Sequence, residues 1–310
     1  MIYIHKDIIY TQPLYKFIKR ILDKKRIPNK IIDAHDMDVV KSLEVKNDDI
    51  LLARFGHDKE DLIKTPTLTD KFKTMFPSKE SYYYYDDKLK QYEFMVENDI
   101  PCLETHYVTC KEDIEKLNIN FPIVTKKTWG AGAEQINYFE TLDSIVDDET
   151  TRSWTQDSIY PCLVQEYEDV NYDLRIVIID KKVFAYKRIH KWKTGNKNNF
   201  PYGMPENPRE KVLKYRYSPY QQYEQKKCND SEFLDLVDLT TKLQKIQETK
   251  LNTKHMSWDI VNGKVLEFSY ISTLGLVGRH YNLDKKKICD FKNDRKFIKH
   301  LEYLLLEYIK

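Results

Sequence analysis

The sequence predicts an α/β protein that opens with a small parallel sheet and continues into antiparallel strands. In the first part, short strand-like runs alternate with helical runs that are apolar on one face, as in a parallel sheet covered by helices. These runs are Ile2 to Ile4, Leu14 to Leu22, Ile31 to Ala34 and Asp49 to Arg54. From Pro161 onward, three strands follow in quick succession at 163–167, 174–180 and 182–188. We expect them to form one antiparallel sheet.

Length, charge and cysteine content restrict the class of protein. At 310 residues the chain has room for two or three packed subdomains. Its 51 Lys and Arg residues nearly balance 49 Asp and Glu residues, which argues against a nucleic-acid binder. The five cysteines form no CxxC pair, and no apolar stretch reaches membrane-spanning length. We therefore expect reduced thiols, no membrane partner and a cytoplasmic location.

Further helices and one long polar segment complete the expected organisation. Helical patterns are found at about 87–97, 233–246 and 293–309. The segment from Lys191 to Lys227 contains four prolines and little periodicity, so we interpret it as a substrate-facing loop.

A strand followed by a glycine-bearing loop could bind an anion. The β-branched strand from Phe121 to Thr125 delivers Lys126 or Lys127 next to Gly130 and Gly132. An ammonium group and backbone amides can converge on phosphate oxygens. Taken alone, however, this segment is better explained as an ordinary hairpin with solvated lysines.

The next strand ends in groups that could contact a nucleoside. Gln165, Glu166 and Tyr167 close an apolar strand, whose edge can offer backbone groups to a purine. Asp173 follows shortly, and a carboxylate there can accept hydrogen bonds from ribose hydroxyls. Arg175 and Arg188 project from neighbouring strands and suit a phosphate or the charge on a transferring phosphoryl group. Surface salt bridges are the competing interpretation of these charges.

A hairpin at 256–270 carries two carboxylates whose relative placement depends on the turn. Side chains alternate between the faces of a strand, so an odd-numbered loop at Val261 to Gly263 would put Asp259 and Glu267 on one face with Ser269. A strict two-residue Asn-Gly turn would separate the carboxylates. With Gly263 as a bulge residue, the three side chains make a hard-cation site suited to Mg2+.

The ordered set of these segments resembles the ATP-grasp superfamily, and the resemblance covers the whole chain. It implies an ATP-grasp fold with three units: a pre-ATP-grasp α/β domain at 1–85, an N-terminal ATP-grasp subdomain with a phosphate lid at 86–160, and a C-terminal subdomain at 161–310. The segments that carry it are DDKLKQYEFMVENDIPCLETHYV, FPIVTKK, WGAGA and VQEY, followed by the hairpin.

The same resemblance implies the cofactors ATP and Mg2+ and a role for each site residue. The phosphate contacts are Lys88 and Lys126, with the lid at Gly130 and Gly132. Adenine lies at the hinge formed by Gln165, Glu166, Tyr167 and Glu168, with Asp173 on the ribose. The arginines for phosphate or transition state are Arg175 and Arg188, and the metal ligands are Asp259, Glu267 and Ser269.

Two departures from the family pattern bear on activity. The usual metal signature ends in Glu-x-Asn, whereas this chain has Glu267, Phe268 and Ser269. The lid is also poor in glycine. Both leave room for an impaired or specialised site, although the lysines, arginines and carboxylates are all present.

The resemblance implies a carboxylate-amine ligase that works through an acylphosphate. The expected partners are a small-molecule or peptide carboxylate and an amine, and the protein could form a homodimer. Two alternatives stay open: an ATP-grasp kinase acting on a sugar or polyol hydroxyl, and a non-catalytic nucleotide-binding protein.

Overall fold

The computed structural model describes residues 1–6, 14–33, 36–52, 68–76, 78–84, 87–129, 136–145, 159–190, 223–269 and 279–290. Most of the predicted lid (130–133), residues 191–222 of the predicted loop and the helix expected at 293–309 lie outside these ranges. The last part of that loop is not irregular as predicted, because Tyr223–Lys227 form a strand. Within the described ranges, no helix is long and apolar enough to cross a membrane.

A parallel sheet opens the chain, as predicted. Its elements are β1 (Ile2–His5), α1 (Leu14–Lys24), β2 (Asn29–Ile32), α2 (Met37–Ser42), β3 (Ile50–Leu52) and β4 (Thr74–Phe76). The strand order is β2-β1-β3-β4, and every neighbouring pair is parallel. Helix α1 buries Ile21 and Leu22 against β1 and β3, which explains its one-sided apolar pattern.

A second, antiparallel sheet holds the strand that ends in Lys126. This part of the chain contains α3 (Lys79–Tyr82), α4 (Lys88–Glu97), β5 (His106–Val108), α5 (Lys111–Glu115), β6 (Ile123–Lys126), β7 (Ile136–Phe139), a 3-10 turn (Leu142–Ser144) and β8 (Cys162–Glu166). The order is β5-β8-β6-β7. The α4 helix begins where the Asp87 side chain accepts a hydrogen bond from the backbone N–H of Lys90 at 3.1 Å.

The third sheet is the largest. The part of the chain that forms it contains β9 (Tyr172–Ile179), β10 (Lys182–His190), β11 (Tyr223–Lys227), α6 (Asp230–Asp235), α7 (Val237–Thr249), β12 (His255–Val261), β13 (Lys264–Ser269), β14 (Arg279–Asn282) and β15 (Lys287–Asp290). The order is β13-β12-β9-β10-β14-β15, with β11 also paired to β10. One face of this sheet packs against α4 and α7 through a core that includes Ile176, Ile178, Trp258, Ile260 and Phe268. Because side chains alternate, the intervening positions point to the opposite face.

Two predictions, one about a strand and one about a helix, need correction. Strand β8 does not join β9 and β10 in one sheet, since it pairs with β5 and β6. The change between sheets therefore falls between β8 and β9. The helix expected at 233–246 is also divided, because α6 ends at Asp235 and α7 starts at Val237.

The turn between β12 and β13 is shorter than predicted. Val261 pairs with Lys264, so only Asn262 and Gly263 form the turn, and both have positive φ, 46° and 75°. This geometry suits a two-residue hairpin turn. The predicted bulge at Gly263 is thus wrong, and the register shift lies between Asp259 and Ile260.

Candidate nucleotide and metal site

Charged residues line up across four adjacent strands on the face opposite the core. Asp259 on β12 lies across from Glu267 on β13 and from Arg175 on β9. On the next pair of strands, Asp173 of β9 lies across from Arg188 of β10. The sheet register alone therefore brings these five predicted site residues together.

Arg175 and Arg188 both bind the carboxylate of Asp259. The Nε and Nη2 atoms of Arg175 donate to Oδ1 and Oδ2 of Asp259, each at 2.6 Å. Nη2 of Arg188 lies 3.0 Å from Oδ2 of Asp259, and its Nε donates to Oδ1 of Asp173. The predicted arginines therefore form a buried ionic network, with Asp259 only 4% exposed, and are not solvated surface charges.

This network keeps Asp259 ionised. Burial by itself would raise the pKa of the carboxyl, but the charges of Arg175 and Arg188 outweigh it and lower the pKa to about 2. A permanent negative charge thus stands at the centre of the face.

The two predicted phosphate lysines lie close to these carboxylates. Lys126 ends β6, and the backbone N–H of Lys88 donates to the carbonyl of Thr128 at 2.8 Å, which ties the start of α4 to the chain just after β6. The pKa of Lys126 falls to about 8, mainly because its ammonium group is desolvated and also because of the charge of Lys88. Glu267 and Asp259 act in the opposite direction. Groups from two sheets therefore meet in one place.

The oxygen donors near Glu267 fit a small hard cation. A cavity of about 20 Å³ is lined by Arg175, Ser257, Asp259, Glu267, Phe268 and Ser269, which is room for about one water-sized ligand. In the described part of the chain Glu267 forms no hydrogen bond or ion pair. Mg2+ typically takes one or two carboxylates together with water and phosphate oxygens. No group of three or more acidic, His or Cys side chains placed to hold a metal ion occurs in the described ranges, so Glu267 and Asp259 would have to hold the ion with few other protein ligands.

Ser269 stands beside these carboxylates, as predicted. It lies opposite Ser257, whose hydroxyl donates to the Ser269 carbonyl at 2.9 Å. Ser269 also lines the small cavity beside Glu267.

Side chains of the predicted hinge are held by other protein groups. Nε2 of Gln165 donates to Oγ1 of Thr105 at 2.7 Å in a buried position. Glu166 accepts from the backbone N and Nδ2 of Asn120, both at 2.9 Å. These two side chains therefore support the hinge, and an adenine contact there would fall to its backbone and to Tyr167.

Glu168, at the end of the predicted hinge, contacts the turn between β12 and β13. Glu168 accepts hydrogen bonds from Nδ2 of Asn262 at 2.7 Å and from Nζ of Lys264 at 3.3 Å. Sequence reasoning missed this contact because the partners lie more than ninety positions apart. The Asn262-Gly263 pair predicted the hairpin turn but not its contact with Glu168.

Comparison with solved structures identifies the fold. The chain is similar to D-cycloserine synthetase DcsG, with 12% identity, a TM-score of 0.60 and coverage of 100% of this chain and 99% of that one. It is also similar to D-alanine–D-alanine ligase from Bacillus anthracis, with 13% identity, a TM-score of 0.58 and coverage of 99% and 96%. A third structure is the ATP-grasp ligase PsnB complexed with a phosphomimetic variant of its minimal precursor, Mg and ADP, with 13% identity, a TM-score of 0.57 and coverage of 100% and 98%.

These likenesses confirm the predicted ATP-grasp fold. Residues 85–200 match the family model of the RimK-like ATP-grasp domain. No curated protein matches the chain.

Proposed function

We propose that this protein uses magnesium-ATP to activate a carboxylate and then joins it to an amine, forming an amide bond. The observation that carries the proposal is the convergence of Lys88 at the start of α4 and Lys126 at the end of β6 with Asp259 and Glu267 of the third sheet. Cations for a polyphosphate and oxygen donors for a metal are the two requirements of phosphoryl transfer from ATP.

The proposed reaction has two steps. An oxygen of the substrate carboxylate attacks the γ-phosphorus, the bond from that phosphorus to the β,γ-bridging oxygen breaks, and ADP leaves. The amine nitrogen then attacks the acyl carbon, the bond from that carbon to the phosphate oxygen breaks, and phosphate leaves as the nitrogen gives up a proton.

Residues of this chain would orient the nucleotide and offset its charge. Lys88, Lys126 and Arg188 would bind phosphate oxygens, and Glu267 with Asp259 would hold Mg2+. When bound, Mg2+ withdraws charge from the phosphoryl oxygens. Arg175, bound to Asp259 through two hydrogen bonds, fixes the direction of that carboxylate.

The substrate class proposed is an amino acid or a short peptide. The names of the similar structures support it, since D-alanine–D-alanine ligase joins amino acids and PsnB was solved with a precursor peptide. A cytoplasmic location and a homodimer stay predictions.

The proposal is tested by ADP release from MgATP over a panel of carboxylates and amines, with hydroxylamine added as a trap that converts an acylphosphate to a hydroxamate. We expect ADP release that requires a carboxylate, and hydroxamate in place of amide when the amine is left out. Glu267→Gln serves as the inactive control. Release that depends on a sugar or polyol hydroxyl instead would indicate a kinase. Nucleotide binding with no turnover over the panel would indicate a non-catalytic protein.

A further inference from the structure

The carboxylate of Asp173 is directed at an arginine. Asp173 and Arg188 lie directly opposite each other on β9 and β10, and Nε of Arg188 donates to Oδ1 of Asp173. Only 9% of the Asp173 side chain and 12% of the Arg188 side chain are exposed. A ribose hydroxyl would therefore find little of the Asp173 carboxylate within reach.

Two carboxylates hold Arg188 at different nitrogens. Asp173 binds Nε, while Oδ2 of Asp259 lies 3.0 Å from Nη2. A guanidinium group is planar, so fixing two of its nitrogens fixes its orientation. The guanidinium group of Arg188 thus bridges the carboxylates of Asp173 and Asp259, and Asp259 is the one proposed to bind the metal.

We propose that Asp173 is a positioning residue that orients Arg188 toward the transferring phosphate, in place of the ribose contact that the family resemblance implies. The inference rests on the proposed function, because Arg188 acts on phosphate there. Buried ion pairs contribute little net stability compared with apolar packing. The Asp173–Arg188 pair is therefore better explained by the orientation that it gives to the arginine.

Nucleotide binding distinguishes a positioning role from a ribose contact without knowledge of the substrates. We would measure the Kd of ADP, 2′-deoxy-ADP and AMPPNP, each with excess Mg2+, by calorimetry for the wild type and for Asp173→Asn. This variant keeps the shape of the side chain but removes its charge.

If Asp173 positions Arg188, the variant keeps the wild-type ratio of ADP to 2′-deoxy-ADP affinity. It loses about tenfold in AMPPNP affinity relative to ADP, since a charge-assisted contact to the terminal phosphate is weakened. In an Arg188→Gln background, Asp173→Asn should then cause no further loss, because the two residues act as one unit.

A ribose role predicts the opposite result: a ratio of ADP to 2′-deoxy-ADP affinity that falls to about one, with the same relative affinity for AMPPNP. That outcome would overturn the inference while leaving the proposed function standing. A wild type that binds none of the three nucleotides would instead overturn the proposed function itself. Glu248→Gln is the matched control, because its carboxylate binds Lys181 away from the charged face. If Asp173→Asn fails to fold, Asp173→Glu takes its place, because it keeps the charge but displaces the oxygens. A positioning role then again predicts weaker relative AMPPNP binding, and a ribose role a lower ratio of ADP to 2′-deoxy-ADP affinity.

Discussion

Asp259 lies directly across from Glu267 on adjacent strands, although the turn that joins these strands has only two residues. A regular ladder from this turn would put Leu266 opposite Asp259. Instead, Ile260 pairs with Val265 and Asp259 with Glu267, which leaves Leu266 as an extra residue. The bulge turns Glu267 to the polar face while Val265 and Phe268 stay buried in the core. Both carboxylates therefore reach the site without disturbing the packing beneath it.

Lys126 should make nucleotide binding sensitive to pH. Its pKa of about 8 without nucleotide means that the ammonium group loses its proton as the pH rises above 8. A neutral amine attracts phosphate poorly, so we expect ATP affinity to be constant below pH 7 and to fall above pH 8, by at most about tenfold per pH unit. Calorimetric titrations with MgATP between pH 6 and 9.5 measure this dependence.

Lys126→Met should bind ATP weakly at every pH, remain folded and show no turnover. Lys127→Met is the matched control, since the neighbouring ammonium group donates to the carbonyl of Tyr160 at 3.0 Å. It should keep the wild-type pH profile. An identical profile in Lys126→Met and wild type would remove Lys126 from the site.

The sequence predicted that Asp259 and Glu267 share one face of the sheet, but not the structural reason for it. Alternation along strands correctly put Asp259 and Glu267 on one face, but the extra residue is Leu266 and not Gly263. A bulge is a local compromise between turn geometry and core packing, and one sequence does not show where it falls. Strand β8 was assigned to the wrong sheet for a related reason, because its apolar pattern fits either sheet and only its long-range pairing with β5 and β6 decides.

Gln165 should contribute to stability more than to nucleotide affinity. Its amide donates to Thr105 in a buried position, so Gln165→Leu leaves the Thr105 hydroxyl without that donor. We expect a loss of roughly 1–3 kcal/mol in the free energy of unfolding, measured by urea denaturation, with a Kd for ADP within about twofold of the wild-type value. A stable variant with much weaker ADP binding would show that the side chain contacts the nucleotide.

Removing Arg175 should destabilise the protein and make it more sensitive to acid. Arg175→Met leaves Asp259 buried with one arginine partner, at a cost of roughly 3 kcal/mol near neutral pH. With a folded-state pKa of about 2 against 3.8 when unfolded, Asp259 contributes stability above pH 3.8 that is lost as the pH falls toward 2. Without Arg175 that pKa rises, so acid unfolding should start at higher pH.

A double-mutant cycle measures the interaction free energy between Arg175 and Asp259. Adding Asp259→Asn to Arg175→Met removes the buried charge, and the double variant should be less destabilised than the sum of the single variants. Additive losses, measured by urea denaturation at pH 7, would contradict a direct interaction. Lys181→Met is a suitable comparison, because its partner Glu248 is about one-third exposed and the loss should be small.

Glu267 should be the more important metal ligand. Asp259 is bound by two arginines, whereas Glu267 has no hydrogen bond or ion pair within the described ranges, so Glu267 has more capacity to coordinate an ion. Glu267→Gln should raise the Mg2+ concentration required for ATP binding at least tenfold and cut turnover severely, because an amide offers a neutral oxygen to a hard cation. Ser269→Asn, which restores the family signature, should preserve or lower that requirement. Titrations of Mg2+ at fixed ATP, with Glu248→Gln as the control on the opposite face, measure both changes. A Glu267→Gln variant with an unaltered Mg2+ requirement would remove the carboxylate pair as a metal site, and with it most of the case for phosphoryl transfer at this sheet.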